Sequence, residues 1–448
     1  MNSDYWSREN IVGTGAGIAS SVRLLDGNLV FGALDNFIYS LNPENGEIVW
    51  KFKTNGPVYS TPAICNNNVY TGSCDGFVYA IDQNGNLIWK FNSQGRIMNS
   101  SMVCNGNRIL FGTDNGIFFA LDMDGKLLWK FSTSDAIRTT PAIVNDKIIF
   151  GSHDHNIYCL NEKGRKEWKF LTGGNMWTCP CIINKDKLLW SINNQTAKTS
   201  REFLIYFGCF DGGLYCIDKN GNFTWKFHTN GPNTSGPEFD NGILYFGSSD
   251  GYLYALNENG RNLEWKYGTS GRIGHSSPAI TENAIFISSF NVDETSTSGT
   301  LHCTDKNGKI MWKFRADHAI VSTPLIHKDV LFFGSYDGFL YAISLKKKEL
   351  LWKFRTLFEK INFDSSKAVK HMGFEEDRSK NILTTWNSET GSSKTNSKSI
   401  VYEDRTSGYR KNVTLYGNEQ DAEKFSYASK GYGQKRGYRK NDSEYSKS

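Results

Sequence analysis

The stretch FGSYDGFLYAISLKKKELLWKF, residues 333–354, contains the pattern that decides the fold of this chain. Small and apolar residues alternate on both sides of an Asp-Gly pair, and a Trp-Lys-Phe tripeptide ends the stretch. Asp-Gly between alternating apolar runs is a strong signal for a β-hairpin, because such a turn needs residues with a positive φ. The stretch therefore predicts three short antiparallel strands.

The same pattern recurs along most of the chain. A hairpin element of this kind precedes seven of eight Trp-Lys-Phe variants, and the remaining unit keeps a degraded form that ends in LHCTD at 301–305. An apolar run such as PAIC at 62–65 supplies a fourth strand. Four strands in about 40 residues are typical of a propeller blade. The repeat predicts an all-β chain that forms an eight-bladed β-propeller of four-stranded antiparallel blades. The eight tryptophans are Trp50, Trp89, Trp129, Trp168, Trp225, Trp265, Trp312 and Trp352.

Three regions follow from the limits of the repeat. Residues 1–16 form an N-terminal lead-in, and residues 17–358 form the propeller, whose eight complete units can close into a ring without a free sheet edge. Residues 359–448 are rich in Tyr, Lys, Ser and Gly and poor in branched aliphatic residues. Such a composition buries too little apolar area to offset the loss of chain entropy, so we expect a mostly disordered polar tail.

Composition and charge exclude some classes of protein. The 448 residues are 39% hydrophobic and carry a net charge of +5, which is too small to indicate a nucleic-acid-binding fold. No apolar run reaches the roughly 20 residues that span a bilayer. The N-terminal MNSDYWSREN lacks the basic and apolar segments of an export signal. We therefore expect a cytoplasmic protein whose nine cysteines are reduced.

The repeat resembles that of the pyrroloquinoline-quinone (PQQ)-like, or quinoprotein-type, β-propellers. The residues that carry the resemblance are the sequence P-A-I, the motif F-G-S-x-D-G-x-L-Y-A-L and the tripeptide W-K-F, in that order. Members of this family include quinoprotein dehydrogenases and an outer-membrane assembly lipoprotein, so the resemblance implies the fold but leaves enzyme and scaffold functions open.

The resemblance allows a direct test for an enzyme. Quinoprotein alcohol dehydrogenases stack PQQ on a disulfide between adjacent cysteines and bind calcium beside it. This chain has only Cys179-Pro180-Cys181 at comparable spacing. Its Asp-rich turns, such as DQNGN at 82–86, lack the later Glu of a calcium loop and are explained as turns. A redox or metal role for Cys179 and Cys181 remains open, because residues two apart face the same side of a strand.

Two positions in the repeat vary in residue type from blade to blade. One lies just ahead of the first strand of each blade and the other just before the Asp-Gly turn, which in an antiparallel meander places both around the mouth of the central channel. Variable positions on a rigid repeat are where such proteins bind partners, and Trp, Tyr and Arg are typical of interaction hot spots. The candidate binding residues are Tyr59, Arg138, Trp177, His275, His153, Phe210 and Tyr336.

These observations favour a non-enzymatic scaffold that recruits a protein or peptide partner at the channel mouth. The alternative is a PQQ-type oxidoreductase, with calcium, or a small-ligand binder that uses the same face. A third hypothesis concerns the tail, where seven tyrosines alternate with Lys, Arg and Gly. Aromatic and cationic residues in such an arrangement can stack on single-stranded nucleic acid.

Overall fold

A computed structural model describes residues 17–184, 203–260, 262–292, 297–356, 397–404, 409–416 and 426–428. These residues form β-strands, and the described ranges contain no helix. Eight sheets contain four strands each, always in chain order. The predicted eight-bladed β-propeller is therefore confirmed. The N-terminal lead-in, residues 1–16, lies outside the described residues.

Each blade takes four consecutive strands. Blades 1 to 4 contain β1 (Arg23–Leu25), β2 (Asn28–Gly32), β3 (Phe37–Leu41), β4 (Ile48–Lys53); β5 (Ala63–Cys65), β6 (Asn68–Gly72), β7 (Phe77–Ile81), β8 (Leu87–Asn92); β9 (Val103–Asn105), β10 (Arg108–Gly112), β11 (Ile117–Asp122), β12 (Leu127–Ser132); β13 (Ala142–Val144), β14 (Lys147–Gly151), β15 (Asn156–Leu160) and β16 (Lys166–Leu171). Blades 5 to 8 contain β17 (Cys181–Asn184), β18 (Phe203–Gly208), β19 (Gly213–Asp218), β20 (Phe223–His228); β21 (Glu238–Asp240), β22 (Ile243–Gly247), β23 (Tyr252–Asn257), β24 (Leu263–Gly268); β25 (Ala279–Ile280), β26 (Ile285–Val292), β27 (Thr297–Thr304), β28 (Ile310–Ala316); β29 (Leu325–His327), β30 (Val330–Gly334), β31 (Phe339–Ser344) and β32 (Glu349–Arg355).

Neighbouring strands of a blade pair antiparallel. In blade 6, Glu238 lies opposite Tyr245, Tyr245 opposite Ala255, and Ala255 opposite Trp265. In all eight blades the register shifts between the third and fourth strands. An irregularity of this kind increases the local twist of a strand pair, which suits the twisted blades of a propeller.

The predicted hairpin turns form because one residue in each takes a positive φ. In blade 6 this residue is Gly251, with a φ of 88°, and in two other blades Asn36 and His155 take its place at 71° and 68°. The Asp side chain of the turn adds a second restraint, because Asp75 Oδ2 accepts a hydrogen bond of 2.6 Å from the hydroxyl of Tyr79. The Asp-Gly sequence therefore specifies both the turn and its attachment to the next strand.

The tryptophan of each outer strand packs on a neighbouring blade. A Cβ added to Gly85 would lie 2.8 Å from the indole of Trp50, so only glycine allows this close approach. The Trp50 Nε1–H also donates a 2.9 Å hydrogen bond to the carbonyl oxygen of Gln83 in the same turn. Tyr39, Tyr79 and Tyr341 are almost completely buried between blades. The two repeated aromatic positions therefore form the core between blades.

The ring closes by contacts between blade 8 and the first residues of blade 1. The amide of Ile18 donates to the carbonyl of Ser335 at 2.9 Å, and the amide of Thr323 donates to Ser21 Oγ at 3.0 Å. The indole of Trp352 donates to the carbonyl of Pro43 at 3.1 Å. The sequence does not reveal this closure, because no strand is shared between the two ends of the repeat.

One cysteine pair differs from the expectation of reduced thiols. Cys65, at the end of β5, and Cys104, in β9, form a disulfide with their Cα atoms 6.5 Å apart. The expectation is wrong for this pair because equivalent positions of adjacent innermost strands lie side by side, although 39 residues separate them in the chain. The other seven cysteines form no disulfide, and Cys159, Cys216 and Cys303 are buried core residues.

A second compact unit contains a three-stranded antiparallel sheet of β33 (Ser397–Asp404), β34 (Tyr409–Tyr416) and β35 (Ser426–Ala428). Ile400 lies opposite Val413 in this sheet. The other residues after Thr356 lie outside the described part of the chain, so the predicted disorder and nucleic-acid binding of the tail stay predictions.

Candidate functional site

The segment ahead of each innermost strand is bound on both sides by backbone hydrogen bonds. The amide of Val58, next to Tyr59, donates to the carbonyl of Ala33 in the preceding blade at 3.0 Å. The amide of Cys74 donates to the carbonyl of Pro57 in the same blade at 2.9 Å. This pattern recurs around the ring and brings the two variable positions of the repeat together on one face. Side chains at these positions are therefore held on a rigid frame.

Four of the seven candidate residues form one cluster around Trp177. The guanidinium of Arg138 lies 5.1 Å from the centre of the indole ring, a distance at which a cation is attracted to an aromatic face. The rings of His153 and His275 lie 4.5 Å and 5.1 Å from Trp177. The cluster thus combines residues of three blades.

A carboxylate fixes the position of Arg138. Asp114 accepts two hydrogen bonds from this side chain, at 2.8 Å from Nε and 3.2 Å from Nη2. Such a bidentate pair is stronger and more directional than a single hydrogen bond. A second arginine, Arg96, lies 3.4 Å from the same carboxylate and keeps 58% of its side chain exposed. The mouth of the channel therefore has one acidic and two cationic side chains at this point.

Both histidines of the cluster are neutral at neutral pH. Burial, together with the nearby charge of Arg138, lowers the pKa of His153 and that of His275 to about 4 each. His153 is 7% exposed, and its Nε2 has no hydrogen-bond partner within the part of the chain that the structure describes. The histidines consequently act as aromatic surfaces against Trp177, and Arg138 carries the positive charge.

The other three candidate residues lie apart from this cluster. Tyr59 lines the central channel together with Trp177 and His275. Tyr336 is only 6% exposed and packs in an apolar group with Phe290, so Tyr336 is a core residue rather than an exposed binding residue. The amide of Phe210 donates a hydrogen bond of 3.1 Å to the carbonyl oxygen of Asn175, which lies ahead of the innermost strand of blade 5. The side chain of Phe210 is 41% exposed. Phe210 is therefore the apolar candidate that is available to a partner.

The channel below the mouth contains a feature that sequence analysis missed. A cavity of about 120 Å³ is lined by residues from all eight blades. Six of the blades contribute a hydroxyl at the same position of the repeat: Ser21, Thr61, Ser101, Thr140, Ser277 and Thr323. The amide of Ser21 donates to Thr61 Oγ1 at 3.0 Å, and that of Ser277 donates to Thr323 Oγ1 at 3.0 Å. The recurrence of Ser or Thr at this position of the repeat is the sequence signal that could have revealed this ring of hydroxyls.

The channel does not fit PQQ with calcium. Pockets for cofactors and ligands of this size measure roughly 300–1,000 Å³, whereas the channel cavity measures about 120 Å³. Neither Cys179 nor Cys181 is part of a disulfide, and Pro180 separates them. Within the described ranges, no group of three His, Cys, Asp or Glu side chains could hold a metal ion. Among the described residues, the stacking disulfide and the calcium ligands of a quinoprotein dehydrogenase therefore have no counterpart.

The two cysteines do not form a joint site either. Cys179 lines the channel, whereas Cys181 is buried against Tyr206 and Phe239 between blades 5 and 6. Burial raises the pKa of the Cys181 thiol well above its usual value. A buried thiol of this kind is a poor nucleophile and metal ligand, because the thiolate is the reactive form.

Fold and channel together define a closed PQQ-like β-propeller. Models of the family described as outer membrane protein assembly factor BamB match residues 3–95, 74–202, 183–292 and 274–391. The chain therefore belongs to this family.

Solved structures agree on the fold. The crystal structure of BamB from Moraxella catarrhalis is similar with a TM-score of 0.58 and 16% identity over 72% of this chain and 93% of that chain. The computationally designed Ika8 protein matches with a TM-score of 0.58 and 15% identity over 74% of this chain and 98% of that one. No curated protein matches the sequence. In the described ranges, no helix is long and apolar enough to cross a membrane.

Proposed function

We propose that this protein is a non-enzymatic scaffold that recruits a protein or peptide partner at the channel-mouth face of the propeller. The observation that carries the proposal is the cluster of Arg138, Trp177, His153 and His275, which lies on the same face as the exposed side chain of Phe210. The family description, an assembly factor, supports a partner that is itself a protein.

The physical advantage of this cluster is that it is already ordered. Immobilising a flexible side chain on binding costs roughly 0.5–1.5 kcal/mol. Asp114 holds Arg138 by two hydrogen bonds, and two histidine rings lie against Trp177. A partner that contacts this surface therefore avoids much of that cost. Trp and Arg in a preformed surface are the residues that most often dominate binding energy.

The apolar and cationic groups of the mouth also indicate how a partner would be held. Phe210 offers 41% of its side chain as apolar area. Arg96, with 58% of its side chain exposed, is positioned to pair with an acidic group of the partner. A segment that carries an apolar residue near an acidic one matches this arrangement.

Affinity capture with the full chain tests the proposal. The variant Arg138→Ala/Trp177→Ala/Phe210→Ala is compared with the parent and with Ile88→Ala, whose side chain is 49% exposed on the outer strand of blade 2. We expect the triple variant to capture at least tenfold less of a specific partner than the parent does. Ile88→Ala should capture as much of this partner as the parent.

Two further measurements keep the test interpretable. Thermal unfolding shows whether the triple variant is folded, and the single variant Phe210→Ala changes only an exposed side chain. Equal partner lists for the parent and the triple variant would exclude the mouth face as the binding surface. If Ile88→Ala lost the partner and the triple variant kept it, the binding surface would lie on the outer strands instead.

A further inference from the structure

The segment that joins each blade to the next contains a backbone amide with a recurring partner. Between blades 1 and 2, the amide of Asn55 donates a 2.9 Å hydrogen bond to Asp75 Oδ2, in the hairpin turn of blade 2. The same bond joins the next three equivalent pairs at 3.1, 3.2 and 3.0 Å: Ser134 with Asp154, Gly173 with Asp211, and Asn230 with Asp250. A carboxylate therefore binds the joining segment in four junctions between blades.

Two other junctions differ, but neither has a place for a carboxylate from outside the chain. In blade 3, Asn115 replaces the turn aspartate, and the amide of Gln94 donates instead to Asn92 Oδ1 at 2.9 Å. The junction between blades 7 and 8 has Asp317 at the amide position and Asp337 in the turn. The amide is thus already bonded in the first junction, and negative charge is already present in the second.

The junction between blades 6 and 7 lacks the recurring bond. Ser270 holds the amide position, and Asn291 replaces the turn aspartate. Asn291 Oδ1 lies against Gly271, 2.7 Å from the place that a Cβ would take there. Gly268, in the position of Asn92, has no side chain. Among the described residues, nothing accepts a hydrogen bond from the Ser270 amide, so it can bind an acceptor from outside the chain.

A groove at this junction gives access to the amide. Its volume is about 450 Å³, and Gly268, Ser270 and Asn291 line it. Pockets that bind small ligands measure roughly 300–1,000 Å³. Gly268 enlarges the groove, because every other blade has a side chain at this position: Lys53, Asn92, Ser132, Leu171, His228, Arg315 and Arg355. The space therefore depends on a departure of blade 6 from the repeat.

The charges around the groove do not oppose a carboxylate. Asp250 lines the groove, but its two oxygens already accept hydrogen bonds from two amides and a tyrosine hydroxyl. Lys266 Nζ lies 4.4 Å from the ring centre of Tyr252, another lining residue. Arg272 also lines the groove. The positive charges near the groove thus offset the single negative one.

We propose that this groove binds a carboxylate from outside the chain, in the place that the turn aspartate takes in four other junctions. One carboxylate oxygen accepts a hydrogen bond from the Ser270 amide, as Asp75 does from Asn55. Hydrogen bonds to an ionised carboxylate are stronger than those between neutral groups. The Ser270 hydroxyl and the side-chain amide of Asn291 are further donors. The carboxylate belongs either to a free organic acid or to an acidic side chain of a partner protein.

NMR spectroscopy of the full chain with ¹⁵N-labelled serine tests the proposal. Sodium acetate is the probe for a free acid, and the peptide acetyl-Gly-Glu-Gly-amide is the probe for an acidic side chain. Sodium chloride and acetyl-Gly-Gln-Gly-amide are the controls. The Ser270 amide resonance is assigned by its absence in Ser270→Ala. We expect this resonance to shift saturably with a carboxylate and to stay in place with the controls.

The two probes distinguish the sources of the carboxylate. A saturable shift with acetate that is as strong as that with the peptide would assign the groove to free acids, and at least tenfold tighter binding of the peptide would assign it to a partner protein. Absence of a saturable shift with either probe would overturn the proposal. An equal shift with sodium chloride would do the same, because it would show an effect of ionic strength only.

Two substitutions copied from other junctions should close the site. Asn291→Asp restores the turn aspartate, and Gly268→Asn places an asparagine where blade 2 has Asn92. A Cβ at Gly268 would lie 3.5 Å from its nearest neighbour, an ordinary contact, so this variant should fold. Each substitution supplies an internal acceptor for the Ser270 amide. We expect each to weaken acetate binding at least tenfold.

A matched control separates this effect from a general change of charge. Asn115→Asp makes the same change as Asn291→Asp in blade 3, where the amide of Gln94 is already bonded, and should leave acetate binding unchanged. Gly268→Asn adds no charge, so its effect is independent of repulsion. Unchanged acetate affinity in Gly268→Asn with an unchanged Tm would contradict the role of the Ser270 amide. Partner capture is a separate readout, so the proposal does not rest on the scaffold function.

Discussion

At the scale of single residues, the environment of each side chain decides its role in the mouth. His153 and Tyr336 occupy equivalent positions of the repeat. His153 lies against Trp177 and Arg138, whereas Tyr336 packs against apolar residues of blades 7 and 8. Two residues at one position of a repeat can therefore belong to a polar cluster in one blade and to the core in another.

The buried histidine at the mouth makes stability depend on pH. The pKa of His153 is about 4 in the folded chain, against 6.5 for an ordinary histidine. The unfolded chain therefore binds more protons between these values, and stability falls as the pH drops from about 6.5 to about 4. One pKa unit corresponds to 1.36 kcal/mol. Across this pH interval, His153 alone therefore lowers the free energy of unfolding by on the order of 3 kcal/mol.

Urea unfolding at pH 7 and pH 4.5 measures this dependence. We expect His153→Phe, which keeps a ring against Trp177, to lose less stability over this interval than the parent. His228→Phe, at an exposed histidine of blade 5, is the matched control. Equal losses in the parent and in His153→Phe would show that His153 does not titrate in this window.

At the scale of elements, the disulfide joins two innermost strands that only the ring brings together. Cys65 ends β5 and Cys104 lies in β9. A cross-link reduces the conformational freedom of the unfolded chain, and for a sequence separation of 39 residues this stabilises the fold by about 3–4 kcal/mol. Because disulfides are rare in reducing compartments, the bond also bears on the cytoplasmic location that we propose from the sequence.

Thiol counting tests the disulfide. Alkylation of the oxidised, denatured chain should modify seven of the nine cysteines, and all nine after reduction. Reductant should lower the free energy of unfolding of the parent but not that of Cys65→Ser/Cys104→Ser. Nine modified cysteines without reduction, in protein isolated without reductant, would show that the bond does not form and would support a reducing location.

At the scale of the whole molecule, the two ends of the repeat must meet as closely as any other pair of blades. Ile18 contacts Gly334 across the closure, as Ile137 contacts Gly112 between blades 3 and 4. Both isoleucines are completely buried. The closure is thus equivalent to an internal blade contact, although no covalent bond joins the two blades there.

Matched truncations test the closed ring. Ile18→Ala and Ile137→Ala should each lower the free energy of unfolding by about 2–5 kcal/mol, the usual cost of removing a buried Ile side chain. Chemical denaturation measures both variants. A loss in Ile137→Ala without a loss in Ile18→Ala would indicate an open arc in solution.

Much of this architecture could be predicted from the repeat, and parts of the candidate site could not. Trp50 and its equivalents recur in every unit of the sequence and lie between blades, because a residue kept in every unit serves a contact that every unit makes. The ring of channel hydroxyls was not predicted. Ser21 and Thr323 are 302 positions apart in the chain, and each looks like an ordinary polar residue until the ring places both beside one cavity.

The sequence by itself determined the fold class, the number of blades and the position of each turn, since hairpin turns and strand alternation depend on neighbouring residues. Only the tertiary structure decided the ring closure, the Cys65–Cys104 bond and which variable residues meet. Trp177 contacts Arg138, His153 and His275, and such contacts between blades depend on the curvature of the whole ring. Local patterns specify elements, whereas the site arises from distances that no local pattern contains.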